Sequence, residues 1–429
     1  KELKEELENN MYPIDLADIL ENFDQKHLVM VFRLLAKEEA AETFTYMNSD
    51  MRELLINALT DSELEEVMEE MYLDDTVDVL EEMPANVVDR LLMATDEETR
   101  VQINQLLQYP EDSAGSVMNV DYIALRKEMT VAESILKIRQ VGINKETIYT
   151  CYVTERRQLI GIVSAKELMT EDDNMRIEEL METEIISVHT HTDQEEVAQL
   201  LRKYNLLALP VLDAENYMVG IVTFDDAMDV MVEETTEDIT KMAAMSPSEK
   251  PYFATSVFAH AKHRIPWLLV LMFSATVTGT IITRYENAFD TVPLLVSFIP
   301  MLMDTGGNCG SQSSTLVIRG IALDEIHFRD LFKVLFKEFR ISLIVGLVLA
   351  AANGIRIFIM YQNVTLALVI ALSLAATIVV AKLIGCLLPL CAKQVHLDPA
   401  IMASPLITTL VDTFSILIYF TIATHFFNL

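Results

Sequence analysis

Apolar positions between residues 15 and 95 return every twelve residues. Leu28, Phe32 and Leu35 form one block and Leu54, Leu55 and Ala58 a later one, while Met47, Met71 and Met83 recur at one register. Within each block the spacing is that of one helix face. Twelve residues allow a short helix and a turn, so the pattern predicts a stack of short helices. From Val117 the pattern changes to alternating strands and helices, and does so twice. The first copy predicts a helix over Val131 to Val141 and a strand over Thr150 to Val153. The second predicts a strand over Ile185 to Val188, a helix over Glu195 to Tyr204 and a strand over Ala208 to Val211. Five apolar runs follow, at about 265–283, 291–318, 341–361, 364–391 and 399–427, each long enough for a bilayer. The expected fold is multidomain: an all-α short-helix superhelix (1–115), an α/β pair (116–235), a connector helix (236–264) and an α-helical five-span transmembrane domain (265–429).

Charge follows the same division. Of 65 acidic residues, 56 lie in the first 250 positions beside 21 Lys and Arg, whereas the rest of the chain holds 9 acids and 11 bases. Such an excess makes nucleic acid an unsuitable partner and destabilises a compact fold unless counter-ions screen it. Lys262, Arg264, Arg319, Arg329, Lys333, Lys337, Arg340 and Lys393 fall on one side of the apolar runs, with Arg284 and Arg356 on the other. The positive-inside rule then predicts a multi-pass protein of the cytoplasmic membrane, with residues 1–264 in the cytoplasm and the carboxyl terminus outside. Trp267, Tyr285, Tyr361 and Tyr419 are expected as interfacial anchors. The chain begins at Lys1 without Met, which implies a trimmed start, and no signal peptide is evident there. The four cysteines form no CxxC or His/Cys cluster and read as reduced packing residues.

Two acidic features carry chemistry. Asp226 and Asp229, like Glu234 and Glu237, are i,i+3 pairs on one helical stripe, where like charges repel unless a cation or a basic surface lies against them. Oxygen ligands without His or Cys suit Mg²⁺ or Ca²⁺, and the spacing is not that of an EF-hand. Earlier acids such as Asp74, Asp75 and Asp78 are expected mainly on the outward, solvated face. In the membrane half, the second run contains Pro300, three glycines and the i,i+4 series Asp304, Asn308 and Gln312, and the last run contains Asp412. Polar backbone and side chains at that depth pack against protein or line a wet path. Lys382, inside the fourth run, is expected to snorkel or to pair with an acid such as Asp304. No nucleophile with an adjacent base and no Walker motif appears, so the chain is not expected to be an enzyme.

The endings Gly161-Ile-Val-Ser-Ala-Lys-Glu-Leu168 and Gly220-Ile-Val-Thr-Phe-Asp-Asp-Ala227 resemble those of a cystathionine-β-synthase (CBS) domain pair. The run Pro300-Met-Leu-Met-Asp-Thr-Gly-Gly-Asn-Cys-Gly-Ser-Gln-Ser-Ser-Thr-Leu-Val-Ile-Arg319 resembles the signature of MgtE-type magnesium transporters, as does the domain order. That resemblance implies a homodimeric, Mg²⁺-gated Mg²⁺ channel in a lipid membrane. Its pore ligand would be Asp412 in Ser404-Pro405-Leu-Ile-Thr408-Thr409-Leu-Val-Asp412, aided by the Thr408 carbonyl. It further implies internal Mg²⁺ sites at Glu42, Asp74, Asp78, Asp193, Glu195, Asp226, Asp229, Glu234, Glu237, Asp238 and Asp398. Regulatory ATP would contact Lys166 and Glu167. The chain departs from the family at Ser404, where members carry Asn, and at Asn205, where some carry an acid. The rival expectations are a transporter of another divalent cation, Mn²⁺ or Co²⁺, and a membrane-anchored cation sensor.

Overall fold

The computed structural model describes residues 11–247, 252–253, 255–285 and 292–427. It divides into two compact units, Lys1–Val232 and Glu233–Leu429.

The first unit opens with α1 (Pro13–Leu20), α2 (Gln25–Phe32), α3 (Lys37–Tyr46), α4 (Ser49–Ala58), α5 (Asp61–Glu70), α6 (Leu73–Glu82), α7 (Ala85–Ala94) and α8 (Glu97–Leu106). Successive helices start twelve residues apart, as the apolar period predicts. Leu16, Leu20, Leu28, Phe32, Phe44, Leu55, Leu64 and Leu91 turn inward to form one core. Each helix is too short to persist alone and draws its stability from this packing. Helices two apart lie together, as in α1 with α3, α3 with α5, and α5 with α7. The Asn48 side chain accepts from Met51 N, and Thr60 forms a capping box with Glu63, so α4 and α5 begin at fixed residues.

Long-range basic side chains lace the stack. Arg33 grips Glu63 through Nε at 2.7 Å and Nη2 at 3.0 Å. Arg52 Nη1 donates to Glu82 at 2.8 Å, while its Nε and Nη2 donate to the Phe44 and Thr45 carbonyls at 3.2 and 2.5 Å. Arg90 pairs with Asp61 at 2.9 Å and also donates to the Ile56 and Leu59 carbonyls. Each guanidinium therefore caps the open carbonyl end of one helix while holding an acid about thirty residues away.

Two three-stranded sheets follow, β1 (Ile123–Leu125), β2 (Thr150–Glu155), β3 (Gln158–Ser164) and β4 (Val188–His189), β5 (Ala208–Leu212), β6 (Met218–Thr223). In each sheet the first pair is parallel and the second antiparallel, with Ile123 opposite Cys151 and Val188 opposite Val211. The crossovers are α9 (Val131–Val141) and α12 (Gln194–Tyr204); α10 (Ala165–Thr170), α11 (Ile177–Leu180) and α13 (Phe224–Met242) complete the layer. The strand expected at Ile185 begins only at Val188. The copies meet through Tyr152, Ala208, Met218 and Ile221. Asn205 adopts the left-handed conformation that ends α12.

The expected connector over 236–264 is not one helix. α13 runs from the second sheet to Met242, Ala244 takes φ 53°, and α14 (Val257–Arg284) starts after Ser256. The second unit continues with α15 (Ile299–Ala322), α16 (Leu331–Tyr361), α17 (Val364–Gln394) and α18 (Ser404–Phe427). Among the described residues, four of its helical segments are long and apolar enough to cross a membrane: Val257–Arg284, Phe328–Tyr361, Val364–Gln394 and Pro399–Phe427. α15, at 24 residues, has the length but not the apolarity, so the expected count of five spans meets four on hydropathy. Tyr419 is not at an interface. It is fully buried, and its hydroxyl donates to the Leu295 carbonyl at 2.8 Å. Cys151, Cys309 and Cys386 are buried and all four cysteines are free.

Candidate functional site

The membrane unit builds its site around glycines. A Cβ at Gly306 would come within 2.7 Å of Thr377 and 2.9 Å of Val411; one at Gly307 would meet Thr408 at 2.9 Å; one at Gly385 would lie 2.2 Å from the Gly310 carbonyl oxygen. Only residues without side chains let α15 approach α17 and α18 this closely. The glycine face is thus packing. The opposite face of α15 carries Asp304, Asn308 and Gln312, all exposed. Close approach brings the Asp304 charge to bear on Asp412, which is half-buried on α18. Thr408 stands one turn before Asp412 on the same face, and its hydroxyl donates back to the Pro405 carbonyl at 2.9 Å. The Ser404 side chain lies outside the described residues.

Lys382 neither snorkels nor pairs with Asp304. It is 5% exposed, donates to Ser313 Oγ at 3.1 Å, and lies 3.8 Å from Glu338 Oε2.

In the first unit, carboxylates from three elements face one another. Asp74, Asp75 and Asp78 come from α6, Asp225, Asp226 and Asp229 from α13, and Glu146 from the loop after α9, with Glu42 of α3 acting on Asp75. Asn119 ties two of them, donating to Asp74 at 2.9 Å and Glu146 at 3.0 Å. Burial and then the Asp75 charge push Asp74 up to about 6. Burial followed by Asp226 does the same for Asp75, and burial raises Asp226 to about 6 although Thr223 opposes it. Burial and the surrounding carboxylates raise Asp78 and Glu146 to about 7, and burial with Asp225 raises Asp229. Asp78 keeps its exposure at the rim, whereas Asp74 Oδ1 is buried without a hydrogen-bond partner. The solvated outward face expected for Asp74 and Asp75 is therefore a partly buried, mutually repelling cluster. Among the described residues no three His, Cys, Asp or Glu side chains converge as a ready metal cage.

The other expected residues fall elsewhere. Asp193 caps α12 through Glu195 N, and Glu195 accepts from Gln199 at 3.0 Å. Glu237 and Asp398 do meet, with Lys241 between them: its Nζ lies 2.6 Å from both. Burial would lower that ammonium, but the two carboxylates outweigh it and hold it above an ordinary lysine. Glu234 and Asp238 share α13 with Glu237 and Lys241. Glu167 is taken up in a capping box, accepting from Ser164 N at 2.8 Å, while Lys166 stays exposed. Sequence reasoning misses Glu146 and Lys241. Glu146 sits in a loop with no periodic signal; Lys241 is visible as the base one turn after Glu237.

Lys241→Met is expected to raise amide exchange over 237–242 roughly tenfold without divalent cations, because two half-buried carboxylates lose a charge-assisted partner. Added Mg²⁺ should restore protection, and hydrogen exchange read by mass spectrometry checks both.

Comparison with known proteins agrees with this layout. A family model described as "Divalent cation transporter" matches residues 299–422, one for the MgtE intracellular N domain matches 11–112, and the CBS domain model matches 114–173 and 177–233. The magnesium transporter MgtE of Thermus thermophilus is 35% identical over 98% of this chain and 94% of its own length. That of Bacillus subtilis is 33% identical over 98% and 93%. The chain belongs to the MgtE family. The family is one of transporters, not enzymes, and this member is a multi-pass membrane protein. Among solved structures, the cytosolic domain of the Mg²⁺ channel MgtE in complex with ATP is 37% identical, with a TM-score of 0.51 over 53% of this chain and 93% of that one. The soluble part of a magnesium transporter is 28% identical, with a TM-score of 0.50 over 54% and 96%.

Proposed function

We propose that this chain carries Mg²⁺ across the cytoplasmic membrane and is closed by Mg²⁺ on its acidic cytoplasmic half. The observation that carries the reading is the polar stripe of Asp304, Asn308 and Gln312, exposed on the outside of a membrane bundle and within electrostatic reach of Asp412. Such a stripe is not compatible with lipid and needs protein or water against it. A second copy of the chain would cover it, make α15 the fifth span, and set two Asp412 carboxylates around one path. Mg²⁺ sheds water reluctantly, so a carboxylate pair with carbonyls such as that of Thr408 suits a hydrated ion.

The closing signal would be read by the carboxylates of Glu42, Asp74, Asp78, Asp226 and Asp229, with Asp193, Glu195, Glu234, Glu237, Asp238 and Asp398 as further candidates. Cations bridging Asp74, Asp78, Asp226 and Asp229 would relieve the repulsion that adds to burial in raising their pKa values, and a switch from 1:99 to 99:1 needs about 5.5 kcal/mol in total. The positive-inside signal supports an orientation with residues 1–264 in the cytoplasm and the carboxyl terminus outside. ATP, bound by a related cytosolic domain, would regulate at Lys166 and Glu167 rather than drive transport.

A transporter of another divalent cation is the second reading, favoured by the broad description of the membrane family model. Purified protein in liposomes decides: Mg²⁺ flux should exceed Mn²⁺ and Co²⁺ flux at equal concentrations. Faster Mn²⁺ or Co²⁺ flux would replace the first reading with the second, and no flux of any would leave the chain a membrane-anchored sensor.

A further inference from the structure

Three charged or polar side chains meet inside the membrane unit away from Asp412. Ser313 Oγ donates to Glu338 Oε2 at 2.7 Å, Lys382 Nζ donates to Ser313 Oγ at 3.1 Å, and the Lys382 and Glu338 charges are 3.8 Å apart. Ser313 is 0%, Lys382 5% and Glu338 7% exposed. They come from α15, α17 and α16, so one ion pair joins three helices.

They lie along the stripe of α15, about 10 Å from the level of Asp412. The carboxyl ends of α15 and α17 and the amino end of α16 share a cluster of Val317, Cys386, Leu390, Leu331 and Val334. Ser314 Oγ donates to the Met402 carbonyl at 3.0 Å, which sets the start of α18 level with Ser313 and Ser314. Gly307 faces Thr408 and Gly306 faces Val411, so Asp412 stands level with Gly306, about 10 Å along α15 beyond Ser313, whereas Lys382 follows Ala381, whose carbonyl faces Gly310. Ser313 directly follows Gln312 of the polar stripe, so Lys382 stands behind α15, roughly one helix diameter (about 10 Å) from the face that would meet the ion.

A buried cation so placed would repel a divalent ion. At about 10 Å and an effective dielectric constant of about 20, one unit charge changes the occupancy of a doubly charged ion on the order of a hundredfold before solvent screening. We propose that the Glu338–Lys382 pair sets the potential of the cation path, with Glu338 cancelling a buried charge that would otherwise expel divalent ions from the stripe of α15. Neither residue touches the ion; both act through the field and by holding α15 in its rotation. The proposal rests on the reading that Asp412 and the stripe line the path.

The test uses the full chain in liposomes, with Mg²⁺ as the probe and monovalent flux in chelator as the reference. Glu338→Gln leaves Lys382 unpaired and should lower Mg²⁺ flux tenfold or more, with a smaller fall for monovalent ions. Lys382→Met leaves an extra buried anion and should lower the Mg²⁺ concentration for half-maximal flux several-fold. The double variant Glu338→Gln/Lys382→Met is neutral, keeps comparable volume, and should return within about twofold of the parent; neutral replacement of a buried pair is commonly tolerated. If both single variants lower Mg²⁺ and monovalent flux by one factor and the double does not recover, the pair is structural and the proposal is overturned. Should Glu338→Gln fail to fold, judged by its melting in detergent, Lys382→Met decides: an unchanged half-maximal concentration overturns the proposal. Asp412→Ala in the same vesicles separates the two readings, since flux that survives it refutes the path itself.

Discussion

Asp412→Ala is expected to lower Mg²⁺ flux by about a hundredfold while leaving the melting of the protein little changed. The carboxylate is half-buried on α18, at the depth where α15 is notched by Gly306, Gly307 and Gly310, and its charged neighbour is another acid, Asp304. Two acids facing each other without a base are tolerated in a membrane when a cation stands between them. Losing one charged contact to the ion is worth roughly 3 kcal/mol, which is the hundredfold. Asp412→Asn preserves shape and removes only charge, so it should fall nearly as far; Asp304→Asn should fall less, because Asp304 is exposed where Asp412 is half-buried. Flux into Mg²⁺-indicator-loaded liposomes is the measurement, and an Asp412→Asn protein that conducts like the parent would remove the carboxylate from the path.

The second large effect is one of pH on the acidic unit. Asp74, Asp75 and Asp226 titrate near 6 and Asp78 and Glu146 near 7, all above their ordinary values. A carboxyl with a raised folded pKa binds its proton more tightly folded than unfolded. The fold therefore has the full benefit below about pH 4 and loses it as pH rises through 6 to 7. A tenfold difference in proton affinity between the folded and unfolded chain is worth about 1.4 kcal/mol, but the groups titrate together and Asp78 is solvent-screened, so the total is taken as about 3 kcal/mol. In chelator, calorimetry of the full chain should show its first transition roughly 5–10 °C lower at pH 8 than at pH 5.5. Saturating Mg²⁺ should close most of that gap at pH 8 and move the pH 5.5 transition little, because protons already neutralise the cluster there. Asp74→Asn with Asp226→Asn should flatten both responses. Equal transitions at the two pH values in chelator would show that the cluster carries no such strain.

The features legible in the sequence are those written locally. The helical stack repeats one short pattern, so its period marks every helix start, and the two strand–helix copies are readable for the same reason. Pairings between distant residues are not. Lys382 reaches Ser313, 69 positions away, and Glu338 on a third helix, so no window on α17 holds the answer. Tyr419 looks like an interfacial aromatic by its place near a run end, yet its hydroxyl finds a carbonyl 124 positions back. Glu146 joins the acidic cluster only because Asn119 and α6 fold against its loop. The glycines of α15 stand out in the sequence beside its polar residues as if all served one role; the helix uses one face for packing and the other for its polar stripe.

The basic residues that lace the helical stack give it a unit of growth. Arg52 of α4 holds Glu82 at the end of α6, and Arg90 of α7 holds Asp61 of α5, so these two clamps skip the intervening helix and join alternate rungs of a two-column ladder, while Arg33 after α2 ties one column to the other through Glu63 of α5. Removing twelve residues would move every later helix into the opposite column and set guanidinium against the wrong rung. Removing or inserting twenty-four would return each clamp to its own column. Chains of this architecture are therefore free to vary in reach by whole pairs of helices, and the distance from the acidic cluster to the far tip of the stack is a quantity that changes in steps.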